Sequence, residues 1–271
     1  MHQLFSRLSN YIRTEKTEST EYYIAKVMLE HIETLSDYSI NEIAELCNVS
    51  KSKISKFVRK LGFEDFLDFK WSGELEEGRL YYTKDQSTIN ITDYLCKNGV
   101  KQYLDVLSKD IELLFEKADI SQIDEFVSYL HDYKKIAAFG MGYSEAAASN
   151  LSYKMMFYHK YVFTTSVFQE QIKYIKQADK ETLLIIFSNR GGYLLGKPEG
   201  ILVDDKIDFT KCEAKTVLIT SNKKMARQPG IDLCIHMNYS DRVQNHPVLY
   251  QLLIEQIAFR YQQVYGLPDK N

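Results

Sequence analysis

The stretch that decides the fold is SINEIAELCNVSKSKISKFVRKLG, residues 39–62. Ser39 is followed three residues later by Glu42, the spacing of a capping box, in which two side chains satisfy free N–H groups at a helix start. Asn48 tolerates the left-handed conformation of a tight turn, and Ser50 can cap a second helix. These signals predict two short helices joined by a turn.

The spacing of small and apolar residues in this stretch is that of a helix-turn-helix. Ala44 lies four residues before Asn48, which lies six residues before the apolar Ile54, and Gly62 ends the second helix. Two helices that cross steeply need a small side chain at the crossing and a short turn between them. We therefore expect an all-helical domain, of the winged or the plain kind.

The outward face of the second helix is basic. Between Val49 and Leu61 there are five basic residues and no acidic ones. Hydroxyls and cations near the start of such a helix suit contacts to phosphates and to base edges in the major groove. A solvated helix face is the other interpretation, but the caps, the turn and the apolar stripe agree with a DNA-reading helix. The expected DNA-binding residues are Ser50, Lys51, Ser52, Lys53, Ser55, Lys56, Arg59 and Lys60.

The spacing of apolar residues changes along the chain. The apolar period is helical up to about residue 130, and from Lys134 onward short apolar runs alternate with helical patterns: KKIAAFG, YVFTTS, ETLLIIFS, TVLITS and DLCIHM. This alternation predicts a parallel sheet covered on both faces. We expect an N-terminal all-α helix-turn-helix domain over residues 1–78, a linker over 79–91, and a three-layer α/β domain with a five-stranded parallel sheet over 92–271.

Two glycine-containing loops follow predicted strands of this second domain. They are FGMGYS at 139–144 and SNRGGY at 188–193. Open α/β sheets bind ligands at the carboxyl ends of their strands, and a helix that starts there attracts an anion. The candidate effector-binding residues are Gly140, Gly142, Ser144, Ser188, Asn189, Arg190, Gly191, Gly192 and Tyr193.

The N-terminal motif resembles a known family. A lead-in helix at 22–33, the 39–62 stretch, and the run RKLGF at 59–63 followed by Phe66, Phe69 and Lys70 are similar to the RpiR family of bacterial transcription regulators. That resemblance implies a C-terminal sugar isomerase (SIS) domain that binds a phosphorylated sugar. In the family, Gly-x-Gly-x-Ser and Ser-x-Ser-Gly-x-Thr hold the sugar phosphate.

The sequence departs from the family pattern at three places. Lys56 stands where the family more often has Arg, which weakens bidentate contact to guanine or phosphate. Arg190 and Tyr193 stand where the family has hydroxyl residues, and the helix after them looks broken by Gly196, Pro198 and Gly200. Arg190 either grips the anion or blocks its site. A SIS fold kept only for dimerisation remains open.

Composition limits the remaining classes. The chain has 271 residues and a net charge of −3, so any basic surface is local. The four cysteines lie in apolar stretches without metal-ligand spacing, and the six histidines show none either, so we expect no cofactor, no metal and no catalytic residue. No signal peptide or membrane span is indicated. We expect a cytoplasmic protein.

The expected function is transcriptional control of carbohydrate genes. Its partners would be a double-stranded DNA operator, a sugar-phosphate effector and a second copy in a homodimer or homotetramer, with no membrane. A phosphosugar aldose–ketose isomerase is one alternative, although the sequence indicates no candidate for the general base that such an enzyme needs. A ligand-independent DNA-binding dimer is the other.

Overall fold

The computed structural model describes residues 3–74, 88–195 and 207–266. The chain divides into two compact units, Met1–Asp85 and Gln86–Asn271. The glycines and the proline of the helix expected to be broken, at 196–200, lie outside the described residues.

Every regular element in residues 3–74 is a helix, and that range contains no strand of a wing. The helices are α1 Gln3–Thr14, α2 Thr20–Glu30, α3 Ile40–Leu46, α4 Lys51–Lys60 and α5 Phe66–Glu74. One apolar core joins them, with buried contributions from each helix, among them Leu8, Met28, Ile43, Phe57 and Phe69.

The expected helix caps are confirmed. Ser39 Oγ accepts from the Glu42 amide at 3.3 Å, and the Glu42 carboxylate accepts from the Ser39 amide at 2.7 Å. Asn48 has a φ of 49°, and Ser50 Oγ accepts from the Lys53 amide at 3.2 Å. The local sequence therefore fixes both the start of α3 and the start of α4.

The second unit is a parallel sheet between helical layers. Its elements are α6 Ile91–Glu116, α7 Ile120–Asp132, β1 Lys135–Phe139, α8 Tyr143–Met156, β2 Val162–Phe163, α9 Phe168–Gln177, β3 Thr182–Phe187, β4 Lys215–Thr220, β5 Leu233–His236 and α10 His246–Tyr265. The strand order is β2-β1-β3-β4-β5, with every pairing parallel. The expected five-stranded parallel sheet is confirmed.

Alternate side chains of the strands enter two cores. In β3, Leu183, Ile185 and Phe187 pack on one face with α7, α8 and α10, while Leu184 and Ile186 pack on the other face with α9. Because successive side chains of a strand point to opposite faces, a strand buried on both faces reads as a continuous apolar run. This explains the sequence TLLIIF.

The expected strand YVFTTS is much shorter in the structure. Only Val162 and Phe163 pair with β1. Thr165 turns the chain instead, because its hydroxyl accepts from the Val167 amide at 3.2 Å and donates to Glu170 at 2.8 Å. The threonines therefore lead into α9 rather than extending the edge strand.

Two helices of the second unit have unusual features. Asn245 directly precedes α10, but its side chain does not cap that helix: its backbone is helical and its buried side-chain amide donates to Asp110 Oδ2 at 2.8 Å. Helix α6 is interrupted at Gly99, where φ is 80° and ψ is 166°. Glycine adopts such backbone angles without the penalty that a Cβ imposes.

The four cysteines differ in burial. Cys47 and Cys234 are buried, Cys212 is half-buried, and Cys96 is exposed. Burial raises the pKa of the Cys47 and Cys234 thiols to about 11. Across the described ranges, no helix has the length and apolar character to cross a membrane.

Candidate functional site

Helix α4 presents most of its predicted DNA-binding side chains to solvent. Ile54, Phe57 and Val58 form its buried face. On the opposite side the structure exposes Lys51, Ser52, Lys56, Arg59 and Lys60, while Lys53 and Ser55 are half-buried. The sequence-predicted residues therefore share one accessible face of α4, from the N-cap Ser50 to Arg59 and Lys60 in the last turn.

Two of the five cations on α4 are held inside the N-terminal unit. Lys53 forms an ion pair and hydrogen bond with Glu21 of α2, which keeps the pKa of the Glu21 carboxyl below its usual value. Lys60 Nζ lies 3.5 Å from Glu15 Oε2 and 5.2 Å from the centre of the Tyr11 ring. Sequence reasoning missed both pairs, because the partners are distant in the chain and carry no local pattern.

The other cations of α4 face outward. Among the described residues, no carboxylate forms an ion pair with Lys51, Lys56 or Arg59. Their charge is therefore available to an anionic partner without first breaking an internal contact. This set is smaller than the five cations that the sequence suggested.

The first glycine loop of the α/β unit brings the backbone close to the start of α8. A Cβ on Gly140 would lie 2.5 Å from the Ser144 carbonyl carbon, so only glycine fits there. Gly142 has a φ of 56° and precedes the first turn of α8. Ser144 is buried, and its Oγ lies 3.3 Å from the hydroxyl of Tyr250 in α10.

The second loop is fastened to the end of β4. Ser188 is buried, and its Oγ accepts from the Tyr193 amide at 3.2 Å. The Asn189 carbonyl accepts from the Thr220 hydroxyl at 2.9 Å. Gly191 has a φ of 83°, and a Cβ there would lie 2.5 Å from the Met225 side chain. The hydroxyls of Ser144 and Ser188 are thus both engaged within the protein.

Tyr193, at the position where the resemblance implies a threonine, lies in the core. Its side chain is 3% exposed, and its hydroxyl donates to Gln171 Oε1 at 2.7 Å. The Gln171 amide in turn donates to the carbonyls of Gly140, at 3.1 Å, and Thr165, at 2.7 Å. Gln171 therefore bridges the two glycine loops, a role that no feature of the sequence indicated.

Arg190 binds neighbours outside its own loop. Its guanidinium donates to Thr88 Oγ1 at 2.6 Å and lies 3.9 Å from Asp241 Oδ2. Thr88 Oγ1 itself donates to the Asp241 carbonyl at 2.7 Å. In this structure Arg190 is therefore tied to the first described residues of the second unit.

A buried histidine lies beside the same loops. His246 begins α10, is 6% exposed, and packs edge-on against the rings of Tyr143 and Tyr250. Burial, assisted by the positive charge of Arg190, lowers the pKa of His246 to about 4. The side chain is therefore neutral at physiological pH. No group of three or more His, Cys, Asp or Glu within the described ranges is placed to hold a metal.

The folded N-terminal unit with its outward basic helix is that of a helix-turn-helix DNA-binding protein. Residues 6–76 match the model of the helix-turn-helix domain of the rpiR family. The chain is 25% identical over 195 residues to an HTH-type transcriptional regulator in the aarA 3′ region of Providencia stuartii. That match covers 70% of this chain and 67% of the relative. It is also 34% identical over 67 residues to the HTH-type transcriptional regulator GlvR of Bacillus subtilis strain 168. That match covers 23% of this chain and 26% of GlvR. Residues 6–76 are therefore similar to the helix-turn-helix domains of rpiR-family regulators.

The second unit has a fold that is known from solved structures. The chain is similar to the protein c3406 of E. coli CFT073, which was solved as a complex with a ligand. The TM-score is 0.50, with 14% identity over 66% of this chain and 95% of that chain. At this level of identity the likeness concerns the fold alone. It agrees with the parallel sheet and helical layers described above.

Proposed function

We propose that this protein recognises specific sequences of duplex DNA through α4 and that Lys51, Lys56 and Arg59 carry most of the contact. The observation behind this proposal is the exposure of these cations on a helix whose other face is locked into the core. Cations on such a helix attract the phosphate backbone, and an arginine can read a guanine edge in the major groove. Ser50, Ser52 and Ser55 add short hydroxyls on the same side.

The first test is selection from a random pool of duplexes by the full-length protein. We expect enrichment of a site made of two half-sites about one helical turn apart, because each helix-turn-helix reads one half-site. The same selection at raised salt should retain the consensus while lowering the yield. A pool that stays random through repeated rounds would contradict sequence-specific binding.

We also propose that two copies pair through the α/β unit. Large apolar side chains are exposed at the end of α8 and just after it: Tyr153 64%, Met156 60%, Phe157 62% and Tyr161 73%. Tyr153 and Phe157 lie on one helix face, with ring centres 5.8 Å apart. A contiguous exposed apolar patch is typical of a protein–protein interface.

Sedimentation of the full chain tests this pairing. We expect a dimer or larger even assembly at micromolar concentration and a monomer for Phe157→Lys, because a charge buried in the interface has no partner. Ile120→Lys is the matched control, since Ile120 is 49% exposed in the same unit but at the start of α7. A monomeric parent protein would refute the proposal.

We further propose that the α/β unit senses a phosphorylated sugar at the carboxyl edge of the sheet, with Arg190 as the main anion-binding side chain. The location and the partly exposed guanidinium support this assignment. The candidate residues Gly142, Ser144 and Gly192 border the same edge. The relatives named above are transcriptional regulators, and accordingly we propose no isomerase activity.

A ligand-independent scaffold is the second candidate function. It is favoured by the internal bonds of the Ser144 and Ser188 hydroxyls and by the burial of Tyr193. A thermal-shift screen of sugar phosphates separates the two. A sensor predicts stabilisation of the parent that is weaker in Arg190→Ser; the scaffold predicts no stabilisation of either. Turnover of any of these sugar phosphates would show instead that the unit is an enzyme.

A further inference from the structure

We propose that Arg190 is a positioning residue that fastens the connecting segment to the second glycine loop, and that an anion bound at this loop releases the segment. This inference rests on the proposed sensor function for the release step alone. The connecting segment here means residues 88–90, which come directly after the stretch that leads from the DNA-binding unit. The fastening itself follows from contacts within the second unit.

The connecting segment is attached to the chain that precedes α10. The Ile89 amide donates to the Arg242 carbonyl at 2.9 Å, and the Gln244 amide donates to the Ile89 carbonyl at 2.8 Å. Ile89 thereby forms a parallel bridge with Val243. A single bridge of this kind is short, so its stability depends on the side chains around it.

The Thr88 hydroxyl joins this bridge to the second loop. It accepts from the Arg190 guanidinium at 2.6 Å and donates to the Asp241 carbonyl at 2.7 Å. The hydroxyl is thus an acceptor toward the second loop and a donor toward the turn at Asp241. Thr88 is half-buried, so water replaces these bonds only in part.

A second connection runs from the same loop to the same turn. Asn189 Nδ2 donates to the Tyr239 hydroxyl at 2.9 Å, and that hydroxyl donates to Asp241 Oδ1 at 3.0 Å. Asp241 has a φ of 55°, a conformation that non-glycine residues adopt only with some strain. The turn is therefore held by consecutive residues of the loop, and a change in the loop is passed directly to Asp241.

An anion at the loop would compete for Arg190. A guanidinium makes stronger hydrogen bonds to phosphate oxygens than to a neutral hydroxyl, and the ion pair between Arg190 and Asp241 is long and partly exposed. Phosphate bound here would draw the guanidinium away from Thr88. The connecting segment would then lose one of the contacts that hold it to the second glycine loop.

Hydrogen exchange of the full-length protein, measured on peptides that contain Ile89 and Gln244, tests the fastening without any ligand. We expect Thr88→Val to speed exchange of these amides by roughly fivefold, the change that follows from losing one net hydrogen bond. Thr88→Ser keeps the hydroxyl and should exchange like the parent. Arg190→Ala should speed exchange of these amides as Thr88→Val does. Arg227→Ala removes an exposed arginine of the same unit and should leave their exchange unchanged.

The release step is tested with inorganic phosphate against chloride at equal ionic strength. We expect phosphate to speed exchange of the two amides in the parent and to have no further effect in Arg190→Ala. Unchanged exchange in Thr88→Val would overturn the fastening, and unchanged or slower exchange in the phosphate-treated parent would overturn the release. A failed sugar-phosphate screen with a positive Thr88→Val result would refute the sensor while leaving the fastening in place.

Discussion

Removing the Tyr193 hydroxyl tests how the two glycine loops are held together. In Tyr193→Phe the ring keeps its contact with Phe168, whose centre lies 5.7 Å away, but Gln171 Oε1 loses its donor. Gln171 is fully buried, and its amide is already committed to the carbonyls of Gly140 and Thr165, so no rotation restores the bond. Burial also raises the pKa of Tyr193, which keeps its hydroxyl protonated and donating at any accessible pH.

A buried acceptor left without a donor costs about 1–3 kcal/mol. For a unit of this size each kcal/mol lowers the melting temperature by about 2–4 °C. Calorimetry of the full chain should therefore show the transition of the α/β unit about 2–12 °C lower in Tyr193→Phe. Tyr193→Thr should lower it further because it also leaves a cavity.

The control for this experiment is Tyr161→Phe. Tyr161 is 73% exposed, so the same loss of a hydroxyl should change stability by less than about 0.5 kcal/mol. If Tyr193→Phe shifts the transition no more than Tyr161→Phe does, the bond to Gln171 contributes nothing to the site and the reasoning is refuted.

Three further substitutions probe other parts of the molecule. Ala44→Leu should destabilise the N-terminal unit by about 1–3 kcal/mol in urea unfolding, because Ala44 is only 4% exposed where α3 packs against α4. Asp110→Ala should lower the free energy of unfolding of the α/β unit by about 2–4 kcal/mol in the same assay. The substitution leaves the Ser240 amide and the buried Asn245 side chain without their acceptor. The free energy of unfolding of the parent should fall by up to about 3 kcal/mol between pH 6.5 and pH 4. In this range His246 is protonated in the unfolded state but stays neutral in the folded state, where its pKa is about 4. His246→Gln should reduce this pH dependence.

Each of these substitutions has a clear contrary result. Ala146 is exposed on α8 and Asp105 is exposed on α6, so Ala146→Leu and Asp105→Ala should be nearly neutral. Equal effects at the buried and exposed positions would show that burial does not explain the losses. A pH profile that is the same in His246→Gln and in the parent would assign the acid sensitivity to other groups.

The sequence predicted those features that arise from local chemistry. The capping box at Ser39, the turn at Asn48 and the continuous apolar run of β3 all depend on neighbouring residues, and the structure contains each of them. The same reasoning placed the DNA-binding candidates on one helix and the glycine loops at the ends of strands.

Contacts between distant residues could not be predicted in this way. Arg190 and Thr88 are 102 positions apart, and nothing near Thr88 in the sequence marks it as a partner. The ion pair between Lys53 and Glu21 is likewise a consequence of how α2 and α4 pack. Such contacts decide which charges are available for binding. Lys53 and Lys60 are paired inside the N-terminal unit, and Arg190 has a contact with Thr88 that the sequence does not indicate.

Helix α4 is the element through which the protein is proposed to read DNA. The most direct measurement is the affinity of full-length variants for a selected operator and for unrelated duplex of the same length. Lys56→Ala and Arg59→Ala should each weaken operator binding by about 1–3 kcal/mol if they touch bases, and reduce the ratio between the two duplexes. Lys60→Ala should have a smaller effect, because Lys60 is already paired with Glu15. Operator binding and discrimination that are unchanged in both Lys56→Ala and Arg59→Ala would contradict the assignment of α4.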